Sequence, residues 1–162
     1  MKKLIYFITL LTLLICTTGC VTFHEKFERV DNIENILSIE VYFVDFLYQI
    51  ELDSLPTTMQ PIKILDKELF GEVIQDLESL DFKKTLLIFA ASDPNSNLYG
   101  YIIKIMYDSG VYQLVSNAGV SYTYDSNGYL NSFQGRLKED VWNNLIIKYI
   151  GEKEFNQHKL PF

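Results

Sequence analysis

Residues 98–133 read LYGYIIKIMYDSGVYQLVSNAGVSYTYDSNGYLNSF, a series of apolar runs separated by short polar breaks. Aromatic and β-branched residues dominate the runs, and both kinds favour strands. The breaks fall at 108–110, 117–119 and 126–128, and each ends in glycine, which adopts the positive φ that tight hairpins require. The stretch therefore predicts four antiparallel strands joined in a meander.

Helical patterns flank this meander. Apolar residues of 66–79 recur every three or four positions, which predicts a helix with one apolar face. A second such pattern covers 137–150 and ends before Gly151, a residue suited to stopping a helix. An alternating strand at 39–44 precedes both. We therefore expect an α+β domain with a single antiparallel sheet of about five strands and both helices on one face. This β-α-β4-α order resembles the TATA-binding-protein-like or helix-grip arrangement, a resemblance of fold that implies no function.

The amino terminus has the layout of a secretory signal peptide. Met1-Lys2-Lys3 is cationic, and residues 4–16 carry no charge. As a helix this uncharged run would reach about 20 Å, against about 30 Å of bilayer hydrocarbon. The run is therefore too short to serve as a comfortable transmembrane span.

The four residues that follow, Thr17-Thr18-Gly19-Cys20, resemble the lipobox of bacterial lipoproteins. In that family a small residue precedes a cysteine that becomes a diacylglyceryl thioether, and the signal is cut just before it. Thr17 departs from the leucine that is usual at its position. The resemblance implies lipid attachment at Cys20, signal recognition through Thr17, Thr18 and Gly19, and a small lipoprotein of Gram-positive type on the outer side of the membrane.

This interpretation divides the chain into a signal peptide (1–19), a lipid-anchored tether (20–35), an α+β domain (36–151) and a loose tail (152–162). Cleavage would leave Cys20 as the last cysteine, so we expect no disulfide. Loss of Lys2 and Lys3 leaves 12 basic against 21 acidic residues, a net charge of −9. Such acidity opposes nucleic-acid binding and direct docking on anionic headgroups, so the expected link to the membrane is the covalent lipid.

Catalytic and metal-binding patterns are weak. The two histidines, His24 and His158, fall in the predicted tether and tail, whereas a catalytic base must lie about 3 Å from its nucleophile. Residues 93–97 begin like a calcium loop, but Leu98 and Lys104 stand where that loop requires glycine and glutamate. The glycines are single, so no phosphate-binding loop is predicted. We expect no cofactor, no metal and a role in binding more than in catalysis.

Tyrosines concentrate in the meander. If both helices cover one face of the sheet, the opposite face exposes Tyr112, Tyr122 and Tyr124, a surface suited to a protein or glycan partner. The alternative is that tyrosine is simply a common residue on half-buried strands. The alternative function is a carboxylate-dependent hydrolase with its site at the strand ends, where Asp45, Asp108 and Asp125 lie.

Overall fold

The computed structural model describes residues 22–44, 59–85, 100–116, 120–125 and 128–158. Within these ranges the strands are β1 (Thr22–Glu25), β2 (Ile36–Val44), β3 (Lys63–Ile64), β4 (Phe82–Thr85), β5 (Gly100–Tyr107), β6 (Tyr112–Ser116), β7 (Val120–Asp125) and β8 (Gly128–Gln134). The helices are α1 (Phe70–Ser79), α2 (Glu139–Ile150) and α3 (Glu152–Gln157), with 3-10 turns at Ile33–Asn35 and Lys67–Leu69.

The main sheet has six strands in the order β3-β2-β5-β6-β7-β8, and every neighbouring pair is antiparallel. Strands β5 to β8 form the predicted meander. Gly110, with φ of 81°, lies in the β5–β6 hairpin, as the glycine pattern predicts. Residues 117–119 and 126–127 of the other two turns lie outside the described residues. The prediction of an α+β fold with antiparallel pairing is confirmed.

The prediction of a single sheet is wrong. Strands β1 and β4 form a separate antiparallel ribbon, in which Thr22 pairs with Thr85 and His24 with Lys83. The sequence of β1 is short and mostly polar, so it gives no strand pattern of its own. Its partner β4 starts at Phe82, whose fully buried side chain fixes that strand against the core. The two residues of β3 extend the main sheet further.

One face of the main sheet packs against the helices. Since side chains alternate along a strand, Ile39 and Val41 of β2 lie on the same face as Ile103 and Ile105 of β5. These residues share one hydrophobic core with the apolar stripes of α1 and α2, whose buried members are Phe70, Val73, Ile74, Leu77, Trp142, Leu145, Ile146 and Tyr149. Both helices lie close to the boundaries that their periodicity predicts, and α2 ends at Gly151, where φ is 89°.

The other face of the sheet is also covered. It carries a second core of Tyr42, Val44, Ile102, Leu114 and Tyr124, against which Met59 and Tyr112 pack. Met59 precedes β3 and is far from the meander in sequence. The central strands β2, β5 and β6 therefore carry buried side chains on both faces of the sheet.

The predicted tether and tail both contribute to the folded domain. Phe27 is 1 % exposed and belongs to the main core. The amide Nε2 of Gln113 donates to the Glu28 carbonyl at 2.9 Å, which ties this segment to β6. Phe155 of α3 stacks on Tyr101 with ring centroids 4.8 Å apart. Single aromatic residues in polar segments produce no periodicity, yet each buries a large area. This explains why the sequence pattern places these segments outside the domain.

None of the helices in the described ranges is long and apolar enough to cross a membrane.

Candidate functional site

A polar cluster interrupts the second face of the main sheet. Glu40 of β2 and Lys104 of β5 stand directly opposite each other in the register of the two strands. Ser38 and Tyr42 lie two residues either side of Glu40, so their side chains share its face. Tyr112 of β6 pairs with Met106, two residues beyond Lys104, and lies on this face as well. We call Ser38, Glu40, Tyr42, Lys104 and Tyr112 the Lys104–Glu40 cluster.

The Glu40 carboxylate accepts two hydrogen bonds. The Tyr42 hydroxyl donates to Oε2 at 2.5 Å, and the Ser38 hydroxyl donates to Oε1 at 2.9 Å. Lys104 Nζ lies 3.9 Å from Oε2, and the side chains of Lys104 and Glu40 are only 6 % and 15 % exposed. Burial, together with the hydrogen bond and the negative charge of Glu40, raises the pKa of Tyr42. The Tyr42 hydroxyl therefore remains a hydrogen-bond donor at neutral pH.

The Tyr112 ring lies beside the lysine and stacks on a second tyrosine. Nζ of Lys104 lies 5.3 Å from the centroid of the Tyr112 ring, within the range of a cation–π interaction. The Tyr112 ring stacks on that of Tyr124, with centroids 4.9 Å apart and planes 11° apart. These tyrosines are direct cross-strand partners, so the pairing of β6 with β7 sets the stack.

The structure describes two of the three side chains of the expected open tyrosine face. Tyr124 is only 3 % exposed, and Tyr112 is half-buried. Tyr122 pairs with Leu114 and so shares their face of the sheet, but its side chain lies outside the described residues. Met59, a residue distant in sequence that the pattern of the meander does not predict, packs against the second core. The lipobox residues Thr17, Thr18, Gly19 and Cys20 also lie outside the described residues.

Sequence reasoning missed Glu40 and Lys104. Each stands in the middle of a strand whose other residues are mostly apolar or aromatic, and this position was the available signal. A charge there needs a partner, because burying an unpaired charge costs several kcal/mol. Both Glu40 oxygens accept hydrogen bonds. The buried cation of the cluster is Lys104 itself, which lies near the Glu40 carboxylate and the Tyr112 ring.

The other candidate residues lie apart from this cluster. His24 Nδ1 is 2.8 Å from Asp81 on the β1–β4 ribbon, and His158 Nε2 is 3.3 Å from Glu154 at the end of α3. Asp108 is exposed in the β5–β6 hairpin, Asp125 is half-buried at the end of β7, and Asp45 lies outside the described residues. Across the described part of the chain, no three His, Cys, Asp or Glu residues are grouped so that they could hold a metal ion.

A second ionic group joins the two long helices. Lys148 of α2 lies 2.6 Å from Asp76 and 2.7 Å from Glu72, both on α1. The Tyr149 hydroxyl also donates to Asp76, at 2.6 Å. Desolvation acts to raise the pKa of Asp76, but the hydrogen bonds from Lys148 and Tyr149 and the lysine charge outweigh it and lower that pKa. This group connects the helices on the outside of the main core.

We compared the chain with known proteins, and no family model, no curated protein and no solved structure matches it.

Proposed function

We propose that this protein is an exported lipoprotein, anchored by a lipid on Cys20 to the outer side of a bacterial membrane, that carries a non-catalytic binding domain. The observation that carries the proposal is the sequence Thr17-Thr18-Gly19-Cys20 directly after an uncharged run and a cationic start. A single acyl chain gives marginal membrane binding, whereas two chains give a stable anchor. A diacylglyceryl group at Cys20 would supply two.

The chain after Cys20 supports this interpretation. Cys16 and Cys20 are the two cysteines of the sequence, so cleavage before Cys20 would leave its thiol with no intramolecular partner. The first described strand begins at Thr22, which leaves Val21 alone between anchor and fold. Lipidation would thus place the domain directly at the membrane.

A binding role is supported by the Lys104–Glu40 cluster. The half-buried Tyr112 ring is held from one side by Tyr124 and lies beside the Lys104 cation. A tyrosine that is already ordered offers contact area at a low entropic cost, which suits a protein or glycan partner. Buried Tyr124 then serves as the support for this surface and not as part of it.

Metabolic labelling with radioactive palmitate tests the anchor. We expect label in the wild-type protein and in Cys16→Ala, and none in Cys20→Ala. Cys16→Ala is the matched control, because it removes the other thiol of the signal region. Label retained by Cys20→Ala would refute the lipid site.

A pull-down from the native cell envelope tests the binding surface. We expect Tyr112→Ser to lose partners that the wild type recovers. Ile64→Ser is the control, because Ile64 is an apolar side chain that is 59 % exposed on the edge strand β3. Equal recovery by wild type and Tyr112→Ser would remove Tyr112 from the proposal.

A further inference from the structure

We propose that the domain contacts the membrane through the β1–β4 ribbon, and that a row of basic side chains on this ribbon contacts anionic phospholipid headgroups. The inference rests on the proposed anchor at Cys20. The row consists of the two cations Lys83 and Arg136 with His24 beside Lys83, and we call it the ribbon row.

The register of three adjacent strand segments builds the ribbon row. His24 of β1 is the direct partner of Lys83 on β4, and Lys83 is in turn bridged to Arg136. The Lys83–Arg136 bridge has both backbone hydrogen bonds, at 3.0 and 2.8 Å. Directly opposed residues place their side chains on the same side of a sheet. All three side chains are exposed.

The charge of this row is unusual for so acidic a protein. Like charges directly opposite each other on neighbouring strands are unfavourable. Asp81 lies beside His24, yet among the described residues neither Lys83 nor Arg136 forms an ion pair. Two opposed, unneutralised cations are suited to an anionic partner from outside the chain.

The lipid anchor would deliver that partner. Four residues of extended chain span at most about 14 Å. His24 therefore lies within that distance of Cys20, the residue that would carry the lipid. Exposed Lys26 lies two residues beyond His24, and exposed Lys138 lies two residues beyond Arg136. Basic residues next to a membrane anchor favour contact with anionic lipid, each by about fivefold. The net charge of −9 opposes headgroup binding for the whole molecule, but the ribbon row provides a local exception.

Lysine footprinting of the lipidated full chain tests this orientation. The protein would be reconstituted in vesicles of phosphatidylcholine alone or mixed with phosphatidylglycerol, treated with an acetylating reagent and analysed by mass spectrometry. We expect acetylation of Lys83 and Lys26 to slow about fivefold or more in the mixed vesicles. Lys67, which is exposed at the other end of α1 from β4, should react equally in both. Equal rates for Lys83 in the two compositions would overturn the proposal.

A pair of charge-reversal variants sharpens the result. Lys83→Glu/Arg136→Glu should abolish the protection of Lys26, whereas Lys63→Glu/Lys67→Glu, with the same change in charge at exposed positions, should retain it. Protection of Lys26 that survives in Lys83→Glu/Arg136→Glu would contradict a role for the row. Flotation of the vesicles separates the two proposals: protein that fails to float refutes the anchor, and protein that floats with a reactive Lys83 refutes only the ribbon row.

Discussion

Lys104 and Glu40 are charged residues placed where a regular strand pattern would have apolar ones. Their partners are supplied by three strands, so no local stretch of sequence reveals that the two charges meet. The alternation of β2 and β5 predicts which face each residue occupies, but not which residue stands opposite. Register depends on the full set of strand pairings, and a shift of one residue would exchange the two faces of a strand.

Replacing Lys104 with methionine should destabilise the protein by about 3 kcal/mol, because it leaves the Glu40 carboxylate buried without its cation. The double variant Glu40→Gln/Lys104→Met should be more stable than Lys104→Met, since both charges are then removed. Urea unfolding measures both changes. A single variant as stable as the wild type would show that the pair is not needed for folding.

A different residue-scale prediction concerns Gly135, which precedes the Arg136 bridge. A Cβ at this position would lie 2.8 Å from the Cβ of Phe82, so Gly135→Ala should cost about 1–3 kcal/mol through overpacking. Gly71→Ala is the matched control in α1, where nothing lies within 4 Å and alanine favours a helix by up to about 1 kcal/mol. In thermal unfolding, we expect Gly135→Ala to have a lower midpoint than the wild type. Gly71→Ala should have the same midpoint or a higher one. The opposite order would contradict the close packing of the ribbon on Gly135.

At the scale of elements, the regular spacing of apolar residues was the reliable signal of a helix or a strand. Helices α1 and α2 and strands β5 to β8 follow from repeated apolar positions and glycine-bearing turns. Strand β1 and helix α3 were not predicted, because β1 is short and mostly polar and α3 buries a single residue, Phe155, in a polar stretch. Such short elements owe their structure to tertiary packing and not to intrinsic propensity.

Helix α3 provides a direct check, because a loose tail would tolerate substitution. Phe155 is 6 % exposed, stacks on Tyr101 and accepts a hydrogen bond from the Tyr101 hydroxyl at its carbonyl, at 2.7 Å. Phe155→Ala should therefore cost about 3 kcal/mol or more, as expected for a buried phenylalanine. Exposed Asn156→Ala should have little effect. Equal stability of the two variants in urea would show that α3 does not pack on the sheet.

The ionic group between α1 and α2 predicts a pH dependence. Because the pKa of Asp76 is lowered in the folded state, its charged form contributes to the free energy of unfolding. This contribution is fully present above the usual carboxyl pKa of 3.8, and it is lost as the pH falls through the lowered pKa of the folded state. Asp76→Asn should therefore be less stable than wild type at neutral pH, and the difference should vanish in strong acid. Asp108→Asn, at an exposed hairpin position, should show no such convergence. A constant difference between Asp76→Asn and wild type at all pH values would contradict this assignment.

At the scale of the whole molecule, the sequence predicted an acidic, disulfide-free α+β domain behind an export signal. The first described strand begins at Thr22, and helix α3 (Glu152–Gln157) contributes Phe155 to the main core. Of the tyrosines expected on the open face, Tyr124 is buried and Tyr112 is half-buried. Neither point was predictable from local patterns, since both depend on segments far apart in the chain. The proposed anchor rests on the residues of the amino-terminal sequence.

The most direct test of the central proposal is mass spectrometry of the amino-terminal peptide of the protein extracted from its native membrane. The account predicts a peptide that begins at Cys20 and carries the added mass of a diacylglyceryl group on its sulfur. A peptide that begins at any other residue, or an unmodified Cys20, would contradict it.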